Sequence, residues 1–265
     1  MRKYVLLCLS LLLVFASCSA KQASDHPSRV LFVGNSLTYV GNLPAVFSAL
    51  ARTNGHTVHS YMVVSPGGTL TERVADGSAA HALQQCRCTA LVLQERGGDL
   101  FGDFGDDAMV QSKQAIATLT RAGHANGASV VLLGTYNAPS VSHHLVAMEG
   151  AAAQAAGIPY IAVSERLWRL HKAYPSPEWL RKAGAHPGKA LTLLDAILLY
   201  KQIYGAWPAA KAFVVHAPIY GVHTGLKPKL RRANAPPPNA GAPQAVAYSA
   251  SMVEGILAAL EMPSS

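Results

Sequence analysis

Charged residues make up only 14% of this 265-residue chain, while half of it is hydrophobic. Those proportions exclude the apolar-poor, charge-rich composition of a disordered protein and leave enough apolar surface for a large core. Cysteine is scarce too: the four are Cys8, Cys18, Cys86 and Cys88. Cys86 and Cys88 are too few ligands for a structural zinc site. Read as strand residues two apart, they share a face in a geometry poor for a mutual disulfide, so buried thiols are expected. Carboxylates are outnumbered, 14 Asp and Glu against 22 Lys and Arg, which gives a formal charge of +8. Such a surplus favours an anionic partner, a membrane surface or an acidic glycan among them. No repeat, Gly-rich phosphate loop or aromatic-rich nucleic-acid signature accompanies it, so no nucleic-acid partner is expected.

The chain also lacks an apolar run of comfortable membrane-spanning length at its start. Arg2 and Lys3 precede an apolar stretch from Tyr4 to Phe15, and Ala16-Ser17 supply small residues before Cys18. That is the layout of an export signal over residues 1–18. Phe15-Ala16-Ser17-Cys18 resembles a bacterial lipobox, with Phe15 where the pattern has Leu. The resemblance implies lipidation of Cys18 and a membrane anchor in the cell envelope, on the periplasmic side of the outer membrane. Secretion behind an ordinary signal peptide is the alternative. Loss of Arg2 and Lys3 takes the formal charge from +8 to +6.

After a polar tether over residues 19–28, short apolar runs alternate with longer helical patterns, the signature of βαβ units. Strands are expected at Val30 to Val33, Val58 to Val64, Ala90 to Leu93, Val130 to Leu133 and Tyr160 to Val163. Their Val, Ile and Leu content suits strands covered on both faces. Helices are expected at Leu43 to Thr53, Ala108 to Ala125, His144 to Ala156, Glu165 to Ala173, Lys189 to Tyr204 and Ala245 to Glu261. A basic, proline-rich loop over residues 209–244 interrupts this pattern. The expected fold is one α/β domain over residues 29–262, a flavodoxin-like parallel sheet in a three-layer α/β/α sandwich.

The residues that carry chemistry fall at strand ends. Val30 to Val33 runs into Gly34-Asn35-Ser36-Leu37, a serine at the carboxyl end of a buried strand, where open α/β sheets meet their ligands. A hydroxyl is a weak nucleophile without a base, and histidine is the usual one. Gly184-Ala185-His186-Pro187-Gly188 stands just before a helix near the end of the fold. The first segment resembles the Gly-Asp-Ser-Leu block of the SGNH (GDSL-like) hydrolases, with Asn35 in place of Asp. The second resembles their last block, Asp-x-x-His-Pro.

The SGNH resemblance covers roughly Arg29 to Tyr204 and implies a serine esterase that needs no cofactor and no metal. Ser36 is then the nucleophile and His186 the general base. The oxyanion donors implied are the N–H groups of Ser36 and Gly68, the latter within Pro66-Gly67-Gly68-Thr69-Leu70, together with the Gln94 amide; Asn137 is the rival for the third place. Gln94-Glu95 after the third strand looks like variant branches that include carbohydrate acetylesterases. The pattern breaks at Ala183, where the family has the aspartate that orients the histidine. Three explanations stand open: a backbone carbonyl orients the ring in a Ser-His dyad, another acid such as Glu178 reaches in, or activity is lost. The substrate class expected is a small-molecule or glycan ester, first an O-acetylated envelope polysaccharide, then a lipid or short-chain ester. A non-catalytic glycan-binding lipoprotein is the alternative that Ala183 motivates. His143-His144 lack a third ligand at recognisable spacing and are assigned no metal.

Overall fold

The computed structural model of the protein describes residues 28–182, 186–222, 224–236 and 245–261. The expected signal, Cys18 and Ala183 lie outside them. The chain begins β1 (Ser28–Gly34), α1 (Ser36–Tyr39), α2 (Leu43–Thr53), β2 (Val58–Val64), α3 (Leu70–Ala75), α4 (Ser78–Cys86) and β3 (Ala90–Leu93). It continues α5 (Asp106–Ala125), β4 (Ser129–Leu133), α6 (Ser142–Ala156), β5 (Tyr160–Ile161), α7 (Ser164–Ala173) and α8 (Lys189–Tyr204). The last elements are β6 (Phe213–His216), β7 (Arg231–Arg232), β8 (Ala245–Tyr248) and α9 (Ala250–Glu261).

The main sheet runs β5-β4-β3-β1-β2-β7, with β1 to β5 parallel and β7 antiparallel on the edge beside β2. The parallel part has the flavodoxin-like order, whose strand order reverses beside β1 and opens a crevice at the carboxyl ends. Alternation along β1 divides the core. Val30 and Phe32 face a cluster that includes α2, α8 and α9, whereas Leu31 and Val33 face the cluster built on α4, α5 and α6. Helix α8 is buried continuously from Ala190 to Tyr200. Its sequence is apolar on every side, as a helix enclosed by sheet and neighbouring helices requires.

Five expected strands and five expected helices appear, with ends displaced by two residues at most. The sixth helix is corrected. Ala245–Tyr248 forms β8, antiparallel to β6, and only Ala250–Glu261 is helical. Tyr248 stacks on Phe213 across that pair at 4.8 Å between centroids, a cross-strand aromatic contact that favours strand. The Ser249 hydroxyl accepts from the Met252 N–H and so starts the helix after the strand, later than the apolar pattern does. The expected loop over 209–244 likewise holds β6 and β7.

A second correction concerns the thiols, because Cys86 and Cys88 form a disulfide. Cys86 ends α4, and Arg87 takes a left-handed backbone at φ 48°. That turn brings the two side chains together, which an extended chain does not. Helices α3 and α4 escape the apolar pattern because they are short; α3 is fixed by a capping box between Thr69 and Glu72.

Asn42 joins the start of α2 to the far end of the chain. It is fully buried and left-handed at φ 56°, a conformation Asn tolerates better than other non-glycine residues. Its Oδ1 accepts from the Ala45 N–H, and its Nδ2 donates to the carbonyls of Pro218 and Ala233. Asn42→Ala leaves these groups unpaired in the interior and is expected to lower unfolding free energy by about 2–4 kcal/mol. Urea unfolding checks this; a loss within the scatter of surface variants contradicts it.

Candidate active site

A short route leads from β1 to Ser36. Gly34 closes the strand where β1 comes near the end of β3, and a Cβ there would stand 2.2 Å from Thr38 Oγ1 and 3.1 Å from the Gln94 carbonyl. Only glycine permits that approach. Asn35 then caps α1, its Oδ1 accepting from the Leu37 N–H at 3.0 Å. Ser36 becomes the first residue of the helix and remains half-buried, while Asn35 and Leu37 are covered. Helix geometry gives the Ser36 N–H no partner within α1.

His186 arrives from the opposite end of the chain. Glu178 to Arg181 runs antiparallel to His186 to Gly188: the Arg181 N–H donates to the His186 carbonyl at 3.0 Å and the Gly188 N–H to the Trp179 carbonyl at 2.9 Å. Pro187 then leads into α8. Ser36 and His186, both at the carboxyl side of the sheet, line one cleft of about 690 Å³ with Asn35, Leu37, Gly67, Arg96, Gly97, Tyr136, Asn137 and Trp168 among its walls.

The other expected site residues separate. Gln94 is not in the cleft. Its Oε1 accepts from Thr38 Oγ1 at 2.7 Å and its Nε2 donates to the Gly134 carbonyl at 3.4 Å, so the amide ties α1 to the ends of β3 and β4 from within. The Gly68 N–H donates to the Ser65 carbonyl at 3.2 Å, closing a turn, and it is Gly67 that faces the cleft. Asn137, the rival to Gln94, does line it. Glu178 is exposed and outside the cleft walls, and its carbonyl accepts from the Ala190 N–H. His143 pairs with Glu165 at 2.8 Å, and His144 packs against the edge of Phe101.

Two buried acids to which the sequence patterns assign no role hold the loops of this cleft. Glu95 accepts from the N–H groups of Leu70 and Arg96 and from the Ser112 hydroxyl, tying the chain after β2 to the chain after β3. Glu149 accepts from the N–H and hydroxyl of Thr135 and from the Tyr160 hydroxyl, fixing the strand end that carries Tyr136 and Asn137. The available signal was an acid inside an apolar context, Glu95 beside a buried strand and Glu149 in an alanine-rich helix. Within the cleft, Arg96 is held by Asp99 through two bonds of 2.8 and 3.0 Å and lies 3.6 Å from the centre of the Phe104 ring. The Trp168 indole donates to the Asn137 carbonyl at 2.7 Å, which fixes its ring in the wall.

Behind Tyr136 lies Asp195, on α8. It is buried, and its Oδ1 has no hydrogen-bond partner among the described residues. Burial pushes its carboxyl well above the usual aspartate range. Burial, and then the charge of Asp195, push the Tyr136 phenol upward as well, so the cleft meets a neutral hydroxyl.

This doubly wound fold is found in known proteins. The chain has the SGNH hydrolase fold. It is similar to an acetylxylan esterase from Geobacillus stearothermophilus, with 13% identity, 69% of this chain and 98% of that one covered, and a TM-score of 0.56. A DUF4886 family protein from Bacteroides uniformis matches with 14% identity, 68% and 84% coverage and a TM-score of 0.56. The esterase EstA from Pseudoalteromonas sp. matches with 14% identity, 67% and 97% coverage and a TM-score of 0.52. No family model matches the sequence, and no curated protein matches it.

Asp195 yields a prediction about stability. A carboxyl whose folded pKa is raised binds its proton more tightly when folded, so stability falls as pH rises above the ordinary aspartate value. Asp195→Asn removes that titration. The stability of the variant relative to the parent is expected to increase from about pH 4 to about pH 7. Thermal unfolding at both pH values decides it, and a difference independent of pH contradicts the assignment.

Proposed function

We propose that the protein is a serine ester hydrolase in which Ser36 is the nucleophile and His186 the general base. The observation that carries this reading is the single cleft that receives Ser36 from the first strand and His186 from the approach to α8. Ser36 Oγ attacks the ester carbonyl while His186 takes its proton. The resulting oxyanion meets the Ser36 N–H, with Gly67 and the Asn137 amide supplying the further donors in place of Gly68 and Gln94. Collapse of the intermediate expels the alcohol, which receives the proton from His186. Water, activated by the same imidazole, then releases the acid from Ser36.

The substrate we assign is an acyl ester, acetyl first, on a cell-envelope carbohydrate, with lipid or short-chain esters as the next class. Among the structural relatives, the one from Geobacillus stearothermophilus is named an acetylxylan esterase. The wall of the cleft agrees with that class, because Trp168 and Tyr136 offer flat apolar surface beside polar tips. A specific feature favours a second reading, a pocket that binds glycan without cleaving it. Ala183 stands where the resembled family has the orienting aspartate, and replacing that aspartate in a serine-protease triad lowers turnover about ten-thousandfold. Labelling by a fluorophosphonate separates the two. The esterase reading expects covalent labelling that disappears in Ser36→Ala; a folded parent that stays unlabelled leaves the binding reading.

We place the protein in the bacterial cell envelope, anchored through lipid on Cys18. The Cys86–Cys88 disulfide supports export, since disulfides persist in oxidising compartments such as the periplasm. Cys18→Ala is expected to move the exported protein from the membrane fraction to the soluble one. Continued membrane partition with export intact defeats the anchor.

A further inference from the structure

Next to the cleft, and sharing Pro139 and Trp168 with it, runs a second groove of about 760 Å³. Its other walls include Arg166 and Arg169 of α7, Trp207 beyond α8, and the His143 and Glu165 pair. The two arginines stand three apart on one helix, hence on neighbouring positions of one face, where like charges repel. Burial, and then the charge of Arg169, lower the basicity of Arg166. The carboxylate of Glu165 is bonded to His143. Outside the groove walls, the Lys201 ammonium lies 5.5 Å from the centre of the Trp207 ring and donates to the Gly205 carbonyl. Trp207 remains 37% exposed, large for an indole on a folded surface.

We propose that this groove is a subsite for an acidic glycan, whose carboxylates meet Arg166 and Arg169 and whose apolar sugar faces lie along Trp207 and Trp168. The inference rests on the esterase reading of the adjoining cleft and extends it to a substrate class: an acyl ester borne by a uronate-containing chain. Guanidinium groups recognise carboxylates through paired N–H donors, and an anion between two like-charged arginines relieves their repulsion. Indole rings present wide flat apolar area at small entropic cost, which suits the C–H face of a pyranose. A sugar spanning the Trp168 wall from this groove enters the Ser36 cleft, so polymer in the groove delivers its neighbouring acyl group to the serine.

The test is isothermal titration of Ser36→Ala protein, which binds without turnover, with oligogalacturonate, maltohexaose and dextran sulfate. Oligogalacturonate is expected to bind and maltohexaose not to bind. Adding Arg166→Gln and Arg169→Gln together should weaken oligogalacturonate by about tenfold or more, the scale of charge-assisted hydrogen bonds. Trp207→Ala, at an exposed position, should weaken it about threefold or more. If the double variant does not fold by circular dichroism, Trp207→Ala decides alone. Oligogalacturonate affinity within about twofold of the parent in the folded variants overturns the proposal, as does dextran sulfate binding equally well, which marks charge without sugar recognition. Fluorophosphonate labelling of the parent distinguishes the two levels. Labelling with no groove-dependent glycan binding removes the subsite alone, whereas groove-dependent binding without labelling removes the esterase and keeps the subsite.

Discussion

A parallel strand that ends in the middle of a sheet leaves backbone N–H groups that neither the sheet nor the following turn consumes, and at β3 and β4 those donors are taken by buried carboxylates. Glu95 and Glu149 are both almost wholly covered, and burial pushes each carboxyl upward while its hydrogen bonds pull it down. Such a group is tolerable in the interior only when its acceptors are occupied. The consequence is a rigid cleft wall. Glu95 fixes Arg96 in relation to Leu70, and Glu149 fixes Thr135 just before Tyr136 and Asn137. The side chains that face the cleft thereby inherit their positions from the core, the condition under which a site is held to geometry useful for chemistry.

The serine depends on the same logic from the other side of the sheet. Gln94 spends both ends of its amide on Thr38 and Gly134, so α1 is braced to the ends of β3 and β4. Gly34 makes this possible by leaving room for Thr38 Oγ1. A residue type suited to oxyanion donation here holds the helix that starts at Ser36. Asn137 differs in place rather than in engagement: its Oδ1 accepts from the Ala138 N–H and its Nδ2 donates to Asp103 at 3.4 Å, but the residue lines the cleft, so donation there would exchange the Asp103 bond.

What could be read from the sequence follows from which interactions are local. The parallel sheet, its five strands and α8 were legible because burial on both faces produces runs of Val, Ile and Leu that turns and surface segments lack. Ser36 and His186 could be singled out as candidates because a glycine-terminated strand and a His-Pro before a helix are short contiguous patterns, and the fold brings both to one cleft. The direction of an amide is not local. Gln94 and Asn137 differ only in which partners surround them, and those partners come from β1, β4 and α7. The disulfide escaped for the same reason, since it turns on the backbone of Arg87, a residue type for which φ of 48° is rare. β8 escaped because Ala245–Tyr248 suits a helix until Phe213 is brought beside Tyr248.

Charge is distributed between the two adjoining cavities in a way that bears on what each can hold. In the cleft, Arg96 is neutralised by Asp99 through a paired contact at short range. Around it stand amides, glycines, a neutral phenol and an indole, an environment that would suit an uncharged acyl group under the proposed esterase reading. The groove is different, because Arg166 and Arg169 bring two cations to one helix face, with Glu165, bonded to His143, as the carboxylate in its walls, its charge favouring the Arg166 cation. An anionic acyl group would therefore gain little in the cleft, and an anionic alcohol portion would gain most in the groove. Under the proposed esterase and subsite readings, selection would act on the two halves of an ester separately: a small neutral acid toward Ser36 and an acidic saccharide toward α7. Trp168, fixed by its bond to Asn137, is a wall that the cleft and the groove share.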